Sequence, residues 1–598
     1  MMDLNNIPPS QPYQRWDLMA VFTLLLSIPG SLAAIYYCWS IHTTWEPIGR
    51  HLKYFGWIIK EWFVGEPKTW ELYSEYLNSN HWMDDFIAHL SIPTIAVFSL
   101  AVWFSVKLFY VSGGRTLDRH KEGVRKYVGK AAYAHANKQL KLELKQGGKP
   151  AIRLHQKVEI TSRAEEGNTF ITGKPGSGKT VVISWLLLQL LKRRNLRLFI
   201  FDAKRDFTQK LYQPQNSELI APWDKRSSVW NIAKDMCHTA APANFAAHVI
   251  HDTKDMIWCQ SARLIFTGII VALKNRNKPW GWLQIQNCMN FDDDKLRCLL
   301  EQNYPQAMRY VEENNRTTQS IMSTLLSDLA WIDWLALAWP KSYQGQFSVY
   351  DWVHNNNAKP RLIVQGNSKF SVIGSPLCHA LMSIMCDEYL SMNKQQECYL
   401  VLDELANLPK SPGLLRWIEL SRDKGGRTIA GTQAISQLKS LYGEHETDSL
   451  TSMFSNLITL KVGATGGTAE YMSKALGERI IERPQRSTDA QGRISTTWHQ
   501  HTLPTVHSSE LTQLPAPGKK GIVGFLSVNG WGACYRMLWE FPNFPTIAKR
   551  QQLAEWTQKS SVSTEKKECE TLNKGVKEQG ITPTRITNRR EGSKHANS

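Results

Sequence analysis

The chain has 598 residues, of which 42% are hydrophobic, with a formal net charge of +18 and an isoelectric point near 9.3. It is too long for one ordinary domain of roughly 100–200 residues and apolar enough for a sizeable core, which excludes a wholly disordered chain. The charge points to anionic partners, nucleic acid or a membrane surface, without choosing between them. The ten cysteines show no metal-like CxxC pair, so reduced thiols are the expectation rather than a disulfide scaffold or a zinc ribbon.

In chain order, residues 1–17 precede a first apolar run, Leu18 to Trp39, with 22 residues and no charge. A second, Phe86 to Val106, has 21 residues and no Asp, Glu, Lys or Arg, although it contains His89. Each is long enough to cross a hydrocarbon core of about 30 Å. The rival readings are a cleaved signal peptide for the first, with Arg15 before it and Leu32-Ala33-Ala34 as cleavage site, and a buried core helix for the second. Residues 107–150 carry 11 Lys and Arg against 3 Asp and Glu, whereas residues 41–85 carry 4 against 7. Positive residues stay in the cytoplasm. The expected topology therefore has transmembrane helices at 18–39 and 86–106, a periplasmic loop at 40–85 and both termini cytoplasmic. The loop's aromatics, Trp45, Tyr54, Trp57, Trp62, Trp70 and Trp82, suit either a small subdomain or interfacial anchoring. Residues 107–165 read as a basic cytoplasmic linker, and part of the net charge is therefore topological.

From residue 166 the texture becomes α/β. Thr169 to Thr172 reads as a strand, followed by a Gly-rich loop and a helix from Thr180 to Leu191. Leu196 to Phe201 is a second buried strand. Residues 230–345 carry helical patterns such as IWCQSARLIFTGIIVAL and read as an all-α inserted domain. Strand texture returns at 361–365, 398–404, 427–433 and 456–462. Strands alternating with helices predict a largely parallel sheet covered on both faces, with the nucleotide core at 166–229 and 346–550. Residues 551–598 are expected to be a disordered tail.

The segment Gly173-Lys174-Pro175-Gly176-Ser177-Gly178-Lys179-Thr180 fits G-x-x-x-x-G-K-[ST] between a strand and a helix. Such a loop curls its N–H groups onto phosphate at a helix N-terminus. Lys179 is expected to reach the β- and γ-phosphates and Thr180 to help hold Mg²⁺. The run Tyr399-Leu400-Val401-Leu402-Asp403-Glu404 is an apolar strand ending in two carboxylates. Ligands gather at the carboxyl ends of strands in such sheets, so Asp403 is assigned to the metal and Glu404 to orienting or deprotonating the attacking water. Asp202-Ala203-Lys204 ends the second strand at the same edge, as site support or as a plain turn. In LSRDKGGRTIAGTQA, Leu420 to Ala434, a strand from Thr428 to Thr432 delivers Gln433 to that edge, where it can sense the γ-phosphate. Lys192, Arg193 and Arg194 are candidate DNA contacts; the simpler reading is solvated surface or lipid headgroup contact.

These residues together resemble a known family, the type IV coupling proteins, TraD-like membrane ATPases of conjugation and type IV secretion. The resemblance rests on the two N-terminal spans, the P-loop, FDAKRDF, APWDKRSSVWNI (221–232), QSARLIF (260–266), NNRTTQSIMSTLL (314–326), the Walker B run with RDKGGRTIAGTQA after it, GTAEYMSKALGE (467–478) and HSSELTQLP (507–515). An Ala stands in APWD where the family has an Asn before the Pro. The resemblance implies a RecA-like P-loop NTPase core with a mostly helical insertion, ATP and Mg²⁺ as ligands, and a homo-hexameric ring at the bacterial inner membrane. It implies that the protein recruits a relaxase bound to single-stranded DNA and moves the DNA toward the secretion channel. Arg422 lies away from its own subunit's phosphates, so the expectation is an arginine finger acting in trans, against a plain helix C-terminal cation. Two other functions fit the motifs: a protein-only secretion receptor, and an FtsK-like double-stranded DNA translocase. The absence of a recognisable DNA-reading winged domain ranks the latter last.

Overall fold

The computed structural model describes residues 16–41, 48–64, 68–109, 119–252, 255–312, 315–393, 395–488 and 494–558. They fall into two compact units, one holding the residues up to Arg119 with Glu482–His501, the other His120–Ile481 and the residues from Thr502.

The first unit is built on two antiparallel apolar helices, Trp16–Ile41 and Met83–Phe109. The ring of Phe22 meets Phe109 at one end (5.3 Å between centroids) and Trp39 meets Phe86 at the other (6.0 Å). The Ser105 hydroxyl donates to Met19 O at 2.9 Å, so its polar atom is satisfied within the pair. Most of the apolar side chains, Leu25, Ile28, Leu32 and Ile95 among them, face outward. Both helices are long and apolar enough to cross a membrane. Met256–Asn275 and Ser368–Ser391 also are, but they lie mostly buried inside the second unit. The predicted loop at 40–85 contains two helices, Ile48–Val64 and Lys68–Ser79. Tyr54 stacks on Tyr73 (4.8 Å), and Tyr73 and Leu77 are fully buried against them. Its aromatics thus include core residues as well as exposed ones such as Trp57 and Trp62.

The second unit is organised by a ten-stranded sheet. In chain order its strands are β1 (Arg125–Val128), β2 (Thr169–Thr172), β3 (Arg197–Asp202), β4 (Ser217–Ile220), β5 (Arg361–Gln365), β6 (Cys398–Leu402), β7 (Gly426–Thr432), β8 (Asn456–Thr459), β9 (Ile522–Ser527) and β10 (Ala533–Trp539). Across the sheet they run β1-β10-β9-β8-β2-β7-β6-β3-β5-β4. The seven from β8 to β4 are parallel. Every residue of β2, β3 and β6 is buried. That is why FIF and YLVL read as unbroken apolar runs: a strand covered on both faces shows no alternation. Helices from Ile232–Asp235 to Val349–His354 fill the chain between β4 and β5, around a buried cluster of Trp230, Trp282 and Trp331.

Three expectations need correction. Residues 107–165 are not a linker where described: β1 is an edge strand of the large sheet, Lys130–Lys145 is a helix, and Pro150–His155 pairs with Val158–Thr161. Their many Lys and Arg decorate a folded surface whose inner side is apolar, with Ala132, Ala136, Ile152, Leu154, Val158 and Ile160 buried. The strands β4, β9 and β10, and the long pair Glu478–Thr488 and Ile494–Pro504, are additional to the expected set. In the predicted tail, residues 551–558 are ordered against the core: Gln552 N donates to Asp224 Oδ2 (2.9 Å), Ala554 N to Trp223 O (2.8 Å) and Trp556 Nε1 to Pro222 O (2.9 Å). The rest of that tail lies outside the described residues.

Glu143 clasps the folded segment 120–165 to the sheet. Its Oε1 accepts from Trp531 Nε1 at 2.7 Å and its Oε2 from Thr161 Oγ1 at 2.6 Å. Glu143→Ala is expected to destabilise the second unit by about 2 kcal/mol, read as a lower denaturant midpoint of tryptophan fluorescence. An unchanged midpoint would mean that this segment does not carry the fold.

Candidate active site

The register of the parallel strands assembles the site. Thr432 of β7 and Thr459 of β8 both pair with Thr172 of β2. Ala430 of β7 and Phe201 of β3 pair with Leu402 of β6, and Asp202 pairs with Gln365. The residues that follow, Gly173, Gln433 and Asp403-Glu404, therefore leave the sheet at one carboxyl edge, together with Asp202.

Beyond β2 the chain turns through Gly173–Gly178 into the helix Lys179–Leu190. Lys174 N donates to Lys461 O (2.9 Å) and Ser177 N to Lys174 O (3.0 Å), which curls the loop. Gly178 caps the helix at φ 97°, a left-handed conformation, and a Cβ there would lie 2.3 Å from Ile522 Cδ1. Only glycine satisfies both demands. The Ser177 hydroxyl is buried with no hydrogen-bond partner. An orphaned donor within a loop of converging N–H groups at a helix N-terminus is a feature that an anionic ligand satisfies.

Lys179 is only 6% exposed, and its Nζ bonds Glu404 Oε2 at 2.6 Å. The stem crosses β7 at Gly431, where a Cβ would stand 3.1 Å from Lys179 Cδ and 2.4 Å from Asp403 O. Thr180 Oγ1 donates to Asp403 Oδ1 at 3.3 Å. Gln433 N donates to the other Glu404 oxygen, Oε1, at 3.1 Å. Burial pushes the Asp403 carboxyl up, and Lys179 and Lys204 oppose that shift. Asp202 is fully buried; its Oδ2 accepts from Thr208 N (2.5 Å) and Oγ1 (2.8 Å), and its Oδ1 has no partner. Burial raises its pKa to about 6, against the bonds from Thr208. It supports the turn into the helix Asp206–Leu211 rather than merely ending a strand.

The structure thus brings Gly173–Thr180, Asp403, Glu404 and Gln433 together at one edge, beside a cavity of about 270 Å³ lined by the loop from Lys174 to Val181 and by Lys204, Gln433, Pro517 and Phe541. Pro517 and Phe541 carry no signal in the sequence, because they flank the antiparallel pair β9–β10, one before β9 and one after β10, and reach the P-loop only through that pairing. Arg422 lies before β7, at the amino edge, about 20 Å from Gln433 at ~3.3 Å per residue. It bonds Glu166 Oε2 through Nε (3.2 Å) and Nη2 (3.1 Å) and is 55% exposed. Of the candidate DNA contacts, Lys192 and Arg194 are exposed. Arg193 is not a free cation: it bridges Glu165 at 2.6 Å and Glu397, and it is part-buried. That correction follows from its place at the end of the P-loop helix, where only a partnered charge is tolerated.

A family model described as the type IV secretion-system coupling protein DNA-binding domain matches residues 153–528. The coupling protein TraD of Escherichia coli (strain K12) is 26% identical over 347 residues, 56% of this chain and 47% of that protein. The alignment thus spans about half the length of that relative. Among solved structures, the unbound bacterial conjugative coupling protein TrwBdeltaN70 matches with a TM-score of 0.61 at 21% identity, over 74% of this chain and 98% of that one. The plasmid coupling protein TrwB in complex with ADP and Mg²⁺ matches with a TM-score of 0.61 at 22% identity, over 74% and 99%. The complex of TrwB with the ATP analogue ADPNP gives the same values. These likenesses show the fold, a RecA-like P-loop core with a mostly helical insertion.

Asp202 makes the edge pH-sensitive. Its folded pKa is raised above the unfolded value of 3.8, so its contribution to stability is full below pH 4 and is lost as pH rises through about 6. The loss is about 3 kcal/mol. Asp202→Asn is expected to raise the unfolding midpoint relative to the wild type more at pH 7.5 than at pH 5. A difference that does not vary with pH would show that Asp202 does not titrate there.

Proposed function

Because the chain belongs to the type IV secretion-system coupling proteins, we propose that it is a Mg²⁺-dependent ATPase of a conjugative secretion system. In this reading it sits in the bacterial inner membrane through its two N-terminal helices, with the sheet-bearing unit in the cytoplasm. It accepts a relaxase with its single-stranded DNA and uses ATP hydrolysis to pass the DNA toward the secretion channel. The observation that carries the catalytic part is the convergence of Lys179, Thr180, Asp403, Glu404 and Gln433 at one strand edge. The DNA part is supported by the net charge of +18 and by a DNA-binding description for residues 153–528.

The residues fit the chemistry. The loop N–H groups and the helix N-terminus offer a phosphate cradle. The Thr180 hydroxyl and the Asp403 carboxylate are two hard oxygen donors side by side, which suits Mg²⁺ with phosphate and water completing its shell. When bound, the ion supplies positive charge against the phosphate oxygens. Lys179 is shared between Glu404 and an incoming phosphate: a γ-phosphate that draws the ammonium away frees the Glu404 oxygens to accept the proton of the attacking water, as a base. Gln433 is tied to Glu404 through its backbone N–H, so its side chain and that carboxylate respond together. Arg422, at the opposite edge, acts on a neighbouring subunit's nucleotide in a homo-hexameric ring. The same ring allows the exposed cations, Lys192 and Arg194 among them, to track a DNA backbone without reading its sequence.

The test is the ATPase rate of the detergent-solubilised protein with and without single-stranded DNA. Stimulation that fades with added salt is expected; no stimulation and no DNA binding would leave only a protein-substrate receptor. Lys179→Ala is expected to lower turnover on the order of 10²–10³-fold, and Glu404→Gln by roughly 10²–10⁴-fold with nucleotide still bound. Loss of nucleotide binding in Glu404→Gln would contradict its role as base. Arg422→Ala is expected to remove the concentration-dependent ATPase, by on the order of 10³-fold, and to spare the basal rate of dilute protein. An equal loss in both would rule out action in trans.

A further inference from the structure

The cavity at the P-loop has a wall that phosphate and metal chemistry leave unused. Past Thr180 its lining is Val181, Lys204, Gln433, Pro517 and Phe541, of which Val181, Pro517 and Phe541 are apolar. Phe541 stands two residues after β10 and is 49% exposed. A large ring left half in water beside a polar cradle has apolar area to cover, and covering it is favourable. The ring is not on a loose end. After it, Ile547 N and Ala548 N both donate to Gln209 O at 3.0 Å, and Arg550 Nη2 donates to Asp206 Oδ1 at 2.5 Å. With β10 on one side and these bonds on the other, the segment is strapped along the carboxyl edge. Pro517 is held by the neighbouring turn, where Gly518 N and Gly521 N each donate to the other's carbonyl (3.1 and 2.9 Å).

We propose that Phe541 and Pro517 form the nucleobase subsite of this cavity, with Val181 at its inner end, and that the base is held there by stacking. This rests on the nucleotide reading above and adds to it which part of the chain meets the base and how. With the phosphates fixed by the loop, and Lys204 and Gln433 lining the side that faces Asp403 and Glu404, the apolar wall is the one left for the base. An aromatic ring, a pyrrolidine and an isopropyl group offer area but no side-chain donor or acceptor. Such a wall grips any purine by its face and does not read its edge, so ATP and GTP bind nearly alike.

The experiment is a binding competition on the detergent-solubilised full chain against a fluorescent ATP analogue, with ATP, GTP and inorganic tripolyphosphate as competitors. Phe541→Ala is expected to weaken ATP and GTP by a similar factor, roughly tenfold, and to leave tripolyphosphate unchanged. Phe541→Trp is expected to restore both nucleotides. Loss of all three ligands together in Phe541→Ala would make the residue structural and overturn the proposal, as would no change in any of them. A wild-type preference of more than about tenfold for one purine would overturn reading by the face alone. Lys179→Ala separates the two levels: it is expected to lose all three ligands. If it kept them, the nucleotide reading itself would fall, whatever Phe541→Ala did.

Discussion

The register of the parallel hydrogen-bond ladder is the constraint from which everything else follows. Because Thr172, Thr432 and Thr459 stand level across β2, β7 and β8, and Leu402 stands level with Ala430 and Phe201, the next residue of each strand emerges at one edge. A parallel sheet buried on both faces has no freedom to slip, since a one-residue shift would turn every side chain to the wrong face. Residues as far apart in sequence as Lys179 and Glu404 therefore meet at 2.6 Å.

That edge is expensive to maintain. Lys179, Asp202, Asp403 and Glu404 are all nearly buried. Taking such groups out of water is unfavourable unless each is paired and hydrogen-bonded. The Lys179–Glu404 pair, the bond from Thr180 to Asp403 and the bonds from Thr208 to Asp202 offset part of the cost. The partnerless Asp202 Oδ1 and Ser177 Oγ mark where it is not offset. Strain of this kind collects where a ligand is to be bound. At the amino edge Arg193 pairs with Glu165 and Glu397, and Arg422 with Glu166.

The folded segments that look polar in sequence share a cause. Residues 119–165 and 551–558 are polar in composition, and each contributes to the fold by covering a surface made elsewhere. The helix Lys130–Lys145 buries only small residues, Ala132 and Ala136, so its apolar stripe is narrow and its lysines dominate the pattern. Residues 551–558 are held by backbone N–H and indole donors to two carbonyls and the Asp224 carboxylate, which leave little trace in residue type. Strands β9 and β10 are antiparallel neighbours without an intervening helix, so they break the strand–helix alternation that announced the others.

By itself the sequence determined the phosphate loop, the two carboxylates after β6, the glutamine after β7 and the two long apolar helices. Each is a local pattern: a glycine at a left-handed position, an apolar run closed by a charge, or a stretch without charge of membrane length. Only the tertiary structure decided that Lys179 pairs with Glu404, that Arg193 is an internal tie, that residues 120–165 belong to the sheet-bearing unit, and that Pro517 and Phe541 complete the P-loop cavity. Those facts depend on which distant strands lie side by side. Strand pairing is set by the summed burial of the whole sheet, and no short stretch of residues carries that sum.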